Sequence, residues 1–164
     1  FISLVHLAFL IYPFTKLHPV TLKGIDENLA QRKLHLMVSN VRQKNDDYAK
    51  LLNRLEQEQP DLILLVETNK TWQNALTSFT NSYPYKIEHP LDNTYGLLFY
   101  SKIKIEEPEV RHLVNKEYPS IKCRLRFDDG ANFVFVGVHP EYLYRRLHLK
   151  HQLNRLCLLF CGQL

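Results

Sequence analysis

Two apolar runs in the first part of the chain each lead into a single polar residue. Residues 34–40 end at Asn40, and the continuously apolar Leu62–Val66 is followed by Glu67. Apolar runs of this length are typical of strands buried on both faces. The segment between them has the i, i+3, i+4, i+7 spacing of an amphipathic helix, with Tyr48, Leu51, Leu52 and Leu55 on its apolar face. Asn45 or Asp46 is expected to cap this helix, with acidic residues in its first turn.

A strand, a helix and a second strand in this order place both strand ends at one edge of a sheet. We therefore expect Asn40 and Glu67 to lie side by side. An amide next to a carboxylate suits a hard cation and an anionic oxygen. A second helix is predicted near residues 70–80.

The remaining chain is rich in short β-type runs separated by turn residues. The predicted strands are residues 83–89, 95–100, 110–114, 120–127 and 132–139, the last reaching His139. Asp128-Asp129-Gly130 predicts a hairpin turn between the last two. Helices followed by strands indicate an α/β fold, in its α+β form.

Charge and cysteine content exclude some classes of protein. The net charge is +4, but residues 1–141 contain 17 acidic and 17 basic residues, so the excess lies in the tail. The body of the chain therefore gives no electrostatic argument for nucleic acid. Three cysteines provide neither a disulfide framework nor a complete zinc site.

The two ends differ from the central part. Residues 1–14 are strongly apolar, and we expect the end of a transmembrane helix; a signal-peptide core or a buried helix are the alternatives. Residues 15–33 are interpreted as a linker. Residues 142–164 lack Asp and Glu, and a basic helix there is one interpretation.

Asn40, Glu67 and His139 all close apolar strands. A strand-end carboxylate can bind Mg²⁺, an amide can hold a phosphate oxygen, and a histidine can donate a proton to a leaving group. Taken singly, each has a structural alternative: Glu67 as a solvated helix-start residue, and His139 as a core or turn histidine.

Three segments together resemble a known family. Leu36–Val41, Pro60–Glu67 and Val136–Pro140 are similar to the first motif blocks of the endonuclease/exonuclease/phosphatase superfamily, the deoxyribonuclease I-like fold. Four further segments resemble its bacterial members with N-terminal membrane helices: Tyr83–Tyr85, Asp92–Gly96, Tyr100–Ser101 and Pro119–Ile121.

The resemblance implies the N-terminal part of a four-layer α/β/β/α sandwich over residues 34–141. It implies that Glu67 binds Mg²⁺ or Mn²⁺, that Asn40 and His139 contact the phosphate, and that Tyr95 flanks the substrate. The reaction would be attack of water on a phosphoester of nucleic acid, a phospholipid headgroup or a small molecule. The implied location is a bacterial inner membrane, reached through the N-terminal segment, with the side of the domain open.

Two later blocks of the family, Gly-Asp-x-Asn and Asp-His, are absent from this sequence. We therefore expect a fragment of a phosphoester hydrolase with little activity, and we interpret residues 142–164 as an atypical tail translated out of frame. One alternative is a non-catalytic, membrane-tethered remnant or binding module on the same fold. Another is an unrelated α/β domain with a chance match.

Overall fold

The structure is a computed structural model that describes residues 5–7, 11–12, 33–112, 117–139 and 157–161, the last as backbone alone. The chain divides into two units, Phe1–Lys33 and Leu34–Leu164. In the first unit, residues 5–7 are helical. No helix within the described residues is long and apolar enough to cross a lipid bilayer. The interpretations of residues 1–14 and 15–33 fall mostly outside the described part and stay predictions.

The second unit contains strands and helices in an order close to the predicted one. They are β1 (Leu36–Asn40), α1 (Tyr48–Glu58), β2 (Leu62–Val66), α2 (Lys70–Thr80), β3 (Tyr85–His89), β4 (Leu97–Ser101), β5 (Lys104–His112), β6 (Pro119–Arg126), β7 (Asn132–Val138) and β8 (Cys157–Cys161).

The strands form two four-stranded sheets. The first has the order β1-β2-β4-β3, in which β1 and β2 are parallel and the other pairs are antiparallel. The second has the order β5-β6-β7-β8 and is antiparallel throughout. Because β1 and β2 are parallel and in register from Leu36↔Leu62 to Asn40↔Val66, their C-terminal ends meet at one edge.

Alternate residues of the first sheet face opposite layers. Leu62, Leu64 and Val66 of β2 pack with residues of the second sheet, among them Phe135, which stacks on Phe99 with ring centroids 4.3 Å apart. Ile63 and Leu65 face the other way and pack with residues of α1 and α2. This two-sided burial explains why β2 is apolar at every position.

The layers observed are therefore helices, first sheet and second sheet. This mixed α/β arrangement confirms the predicted fold class. No helix covers the second sheet within residues 33–112 and 117–139, so the fourth layer of the expected sandwich stays a prediction.

Several predicted boundaries were wrong. Asp47, not Asn45 or Asp46, caps α1: its side chain accepts a hydrogen bond from the Lys50 N–H at 3.3 Å, and the first turn contains no acidic residue. Strand β5 begins at Lys104, six residues before the predicted start at Val110.

The sequence hides β5 because charged residues fill it. Its pairing with β6 shifts between Glu106 and Glu109, and Glu107 at this bulge has a φ of 51°. Ion pairs line the strand, including Arg111–Glu109 at 2.7 Å. Charge and a bulge are typical of edge strands, which must avoid pairing with other chains.

In the tail, the backbone of Cys157–Cys161 pairs with β7 as a strand, so the helix considered for residues 142–164 is wrong for these five residues. The rest of the tail lies outside the described residues. Its interpretation as out-of-frame sequence stays a prediction.

Candidate active site

Asn40 and Glu67 are in contact at the shared edge of β1 and β2. Asn40 ends β1 opposite Val66, and the Asn40 Nδ2 donates a hydrogen bond to Glu67 Oε1 at 2.6 Å. The Asn40 Oδ1 accepts from the Arg42 N–H at 2.9 Å, which fixes the orientation of the amide. The neighbourhood expected from the two apolar runs is therefore present, while the catalytic roles of these residues stay predictions.

Glu67 reaches Asn40 through a break in the strand geometry. Strict alternation would turn Glu67 toward the helices, on the side of Ile63 and Leu65. Its φ of 60° is in the left-handed region, which ends the extended backbone and lets the side chain meet Asn40 instead. A non-glycine residue in this region costs about 1–3 kcal/mol, and such strain is concentrated at functional sites.

His139 approaches Glu67 from the second sheet. It follows β7, and its Nε2 lies 3.6 Å from Glu67 Oε1. The two side chains are 7% and 14% exposed, so both are largely shielded from water. Burial lowers the pKa of His139, and the nearby Glu67 carboxylate offsets part of this effect. His139 is therefore mostly neutral at pH 7.

Glycine at position 137 lets the two sheets approach near this site. A Cβ added there would lie 3.0 Å from Leu64 Cδ2, so residue 137 faces β2. His139 is two residues further along and follows the same alternation. Both sheets thus contribute a polar side chain to the space between them at one end.

Tyr95 lies against His139, with ring centroids 5.2 Å apart, and against Tyr118, at 4.4 Å. Tyr95 therefore lies beside His139, while its expected role in flanking the substrate stays a prediction. The sequence did not single out Tyr118, because it lies in the loop just before β6, where no periodic pattern occurs.

The backbone after Glu67 is fixed by the loop that carries Tyr95. The Thr68 N–H donates to the Gly96 carbonyl, and the Thr68 carbonyl accepts from the Leu91 N–H, both at 3.1 Å. A Cβ on Gly96 would lie 1.8 Å from the Thr68 oxygen. Only glycine fits here, so residue 96 sets how closely the loop approaches Glu67.

A cavity of about 600 Å³ adjoins Asn40 on the side of α1. Arg42, Lys50 and Arg54 are among its lining residues, and Asp47 is the one acidic residue among those that line it. Arg54 is ion-paired with Glu58 at 2.8 Å, so Arg42 and Lys50 provide the positive charge that suits an anion next to Asn40. The sequence did not indicate this basic cluster, because its members come from a loop and one helix face.

Comparison with protein families identifies the chain. Residues 37–161 match the model of the Endonuclease/Exonuclease/phosphatase family, which is most of the 164-residue sequence. The chain belongs to this family. The match confirms the resemblance drawn from the motif blocks and excludes an unrelated α/β domain. The family comprises phosphoester hydrolases, so the site lies in a hydrolase-type domain.

Solved structures agree on the fold. TDP2 from D. rerio, crystallised with a single-strand DNA product, matches with a TM-score of 0.59 at 18% identity over 69% of this chain and 48% of that one. TDP2 from Caenorhabditis elegans matches with a TM-score of 0.60 at 13% identity over 74% of this chain and 39% of that one. At these identities the likeness shows the fold alone.

The chain spans half or less of the length of these solved structures. A comparison with curated protein sequences finds no match.

Proposed function

We propose that this chain is a phosphoester hydrolase domain whose reacting phosphate lies at Asn40, Glu67 and His139. The observation that carries the proposal is the contact of these three side chains at the joined end of two sheets. Membership of the Endonuclease/Exonuclease/phosphatase family supports the reaction class.

Glu67 fits the role of a metal ligand. Both of its contacts fall on Oε1, and Oε2 accepts no hydrogen bond from a described residue. Mg²⁺ typically takes one or two carboxylates and completes its shell with water and substrate phosphate. Mg²⁺ or Mn²⁺ bound there would offset the charge that develops on the phosphate.

Asn40 and His139 would hold the phosphate itself. The fixed amide of Asn40 offers a donor to a phosphate oxygen. A neutral His139 carries one ring N–H, which can donate to a developing oxyanion or to the leaving oxygen. Tyr95 would flank the substrate beside His139.

The metal-binding side chains of the described residues also support low activity. No group of three or more acidic, histidine or cysteine side chains that could bind a metal occurs among the described residues. Among these residues, no second carboxylate therefore lies close enough to Glu67 and His139 to form such a group. This observation favours the alternative function, a non-catalytic phosphate-binding module on the same fold.

The charges beside the site favour a substrate with a second anionic group. Arg42 and Lys50 line the cavity that adjoins Asn40, whereas Arg54 there is ion-paired with Glu58 at 2.8 Å. An anionic group next to the scissile phosphate would suit Arg42 and Lys50. Nucleic acid and phosphorylated lipid headgroups both have this character. Attachment to a bacterial inner membrane through residues 1–14 belongs to the same proposal and rests on sequence resemblance alone.

The test is turnover of bis(4-nitrophenyl) phosphate with Mg²⁺ and with Mn²⁺. We expect slow, metal-dependent release of nitrophenol that falls about 100-fold in Glu67→Gln, because the ligand charge is lost while the shape is kept. Glu56→Gln, on the exposed face of α1, is the matched control and should retain activity. Equal turnover in both variants would refute the proposal, and phosphate binding without turnover would favour the binding module.

A further inference from the structure

Gln43 joins two loops that border the candidate site. It lies in the loop after β1, and its Nε2 donates to the Asp92 carbonyl at 2.9 Å. Its Oε1 accepts from the Thr94 N–H at 2.7 Å. One side-chain amide therefore satisfies a carbonyl and an N–H of the same distant loop, as a neighbouring strand would.

The loop that Gln43 holds is tied at two other points. Asn93 Nδ2 donates to the Glu117 carbonyl at 3.2 Å, which links the loop to the start of β6, and Asn93 Oδ1 accepts from the Tyr95 N–H at 3.1 Å. Gly96 is bonded to the backbone of Thr68. The loop at 92–96 therefore connects the ends of both sheets.

Strain in this loop shows that its ties fix a specific conformation. Thr94 has a φ of 69°, which costs free energy for a β-branched residue. The Thr94 N–H is the group that Gln43 Oε1 accepts from, at 2.7 Å. Without that acceptor, Thr94 would lose the hydrogen bond that ties its backbone to the loop after β1.

We propose that Gln43 is a positioning residue of the active site, which holds the loop at 92–96 so that Tyr95 lies against His139 and Gly96 against Thr68. Gln43 acts through these residues and has no contact with the reacting phosphate. The effect on turnover rests on the proposed function, whereas the effect on the loop does not.

The chemistry requires an amide of this length. Glutamate at position 43 would keep the acceptor for the Thr94 N–H but would place a carboxylate oxygen against the Asp92 carbonyl. Asparagine would keep both groups but would be one methylene too short to reach them. Gln43→Glu should therefore keep the hydrogen bond to the Thr94 N–H and part of the hold on the loop. Gln43→Ala should lose both hydrogen bonds.

The first arm of the test measures steady-state kinetics with bis(4-nitrophenyl) phosphate and Mn²⁺. Because Gln43 orients other residues, we expect Gln43→Ala to lower kcat about tenfold while KM changes less than about twofold. Gln73→Ala is the matched control, since Gln73 is also half-buried and its side chain accepts a hydrogen bond from Lys70 of the same helix. A Gln43→Ala variant with unchanged kcat would overturn the proposal.

The second arm is independent of turnover. The ring signals of Tyr95 and His139 report their contact in nuclear magnetic resonance spectra, and we expect both to shift in Gln43→Ala, less in Gln43→Glu, and not in Gln73→Ala. Unmoved ring signals in a folded Gln43→Ala variant would refute the positioning role. If the wild-type chain shows no turnover, the catalytic proposal fails and this arm still decides the role of Gln43.

Discussion

Replacing Gly96 by alanine tests how the loop at 92–96 supports Glu67. The added Cβ would lie 1.8 Å from the Thr68 oxygen and 2.5 Å from the Leu91 nitrogen. Real Cβ contacts are not shorter than 3.0 Å, so the loop must withdraw by about 1.2 Å, the difference between 3.0 and 1.8 Å. This shift would break the two backbone hydrogen bonds of Thr68, which are 3.1 Å long.

Thr68 is fully buried, and its N–H and carbonyl would both lose their partners. Each such group costs about 1–3 kcal/mol, so Gly96→Ala should lower the free energy of unfolding by about 2–6 kcal/mol. The control is Gly130→Ala in the β6–β7 hairpin. There a Cβ meets nothing within 4 Å, but φ is 90°, so the cost is conformational strain of about 1–2 kcal/mol.

Urea unfolding followed by tryptophan fluorescence measures both values, because Trp72 is 1% exposed. Turnover separates the two variants further: displacement of the Thr68 backbone should reduce activity about 100-fold, whereas Gly130→Ala should leave it unchanged. If Gly96→Ala lowers neither the free energy of unfolding nor the turnover by more than Gly130→Ala does, the loop does not support Glu67 as described.

Three further predictions concern stability and reactivity. Thr68→Val should raise the free energy of unfolding by about 1–3 kcal/mol in urea titrations, because the buried Thr68 Oγ1 has no hydrogen-bond partner among the described residues; a loss of stability would contradict this. Burial, and then His112, lowers the pKa of His89, so the unfolded chain gains that proton first as the pH falls below about 6.5. Stability should therefore decrease in that range, and His89→Gln should flatten the pH dependence measured by thermal unfolding; an unchanged slope would refute the assignment. Burial raises the pKa of the Cys123 thiol to about 12, so mass spectrometry should find Cys123 unlabelled by a thiol reagent at pH 8 in the native protein and labelled in urea.

The framework of the fold was predictable because hydrophobic patterns reflect burial directly. The run at Leu62–Val66 is apolar at every position because both faces of β2 are covered, and the helix face with Leu51 and Leu55 packs on the first sheet. The same patterns placed Asn40 and Glu67 at one sheet edge. Strand β5 was predicted too short, since an exposed edge strand with Glu106, Glu107 and Glu109 has no apolar alternation.

The fine structure of the site was not predictable from the sequence. Nothing in the residue type of Glu67 indicates a left-handed backbone, because tertiary contacts impose it. The contacts of Gln43 and Asn93 join residues about 50 and 24 positions apart, which no local pattern reports. Asp92 and Asn93 are residue types typical of turns, and nothing in them indicates that Asn93 links the loop to the segment before β6.

The central claim is that Glu67 binds a divalent cation beside Asn40 and His139. Titration with Mn²⁺ tests it most directly, because the paramagnetic ion broadens the magnetic resonance signals of nearby groups whether or not the chain turns over substrate. We predict that the Asn40 side-chain amide and the His139 ring broaden first, and that Glu67→Gln abolishes the effect. Broadening at other residues, or the same broadening in Glu67→Gln, would contradict this account.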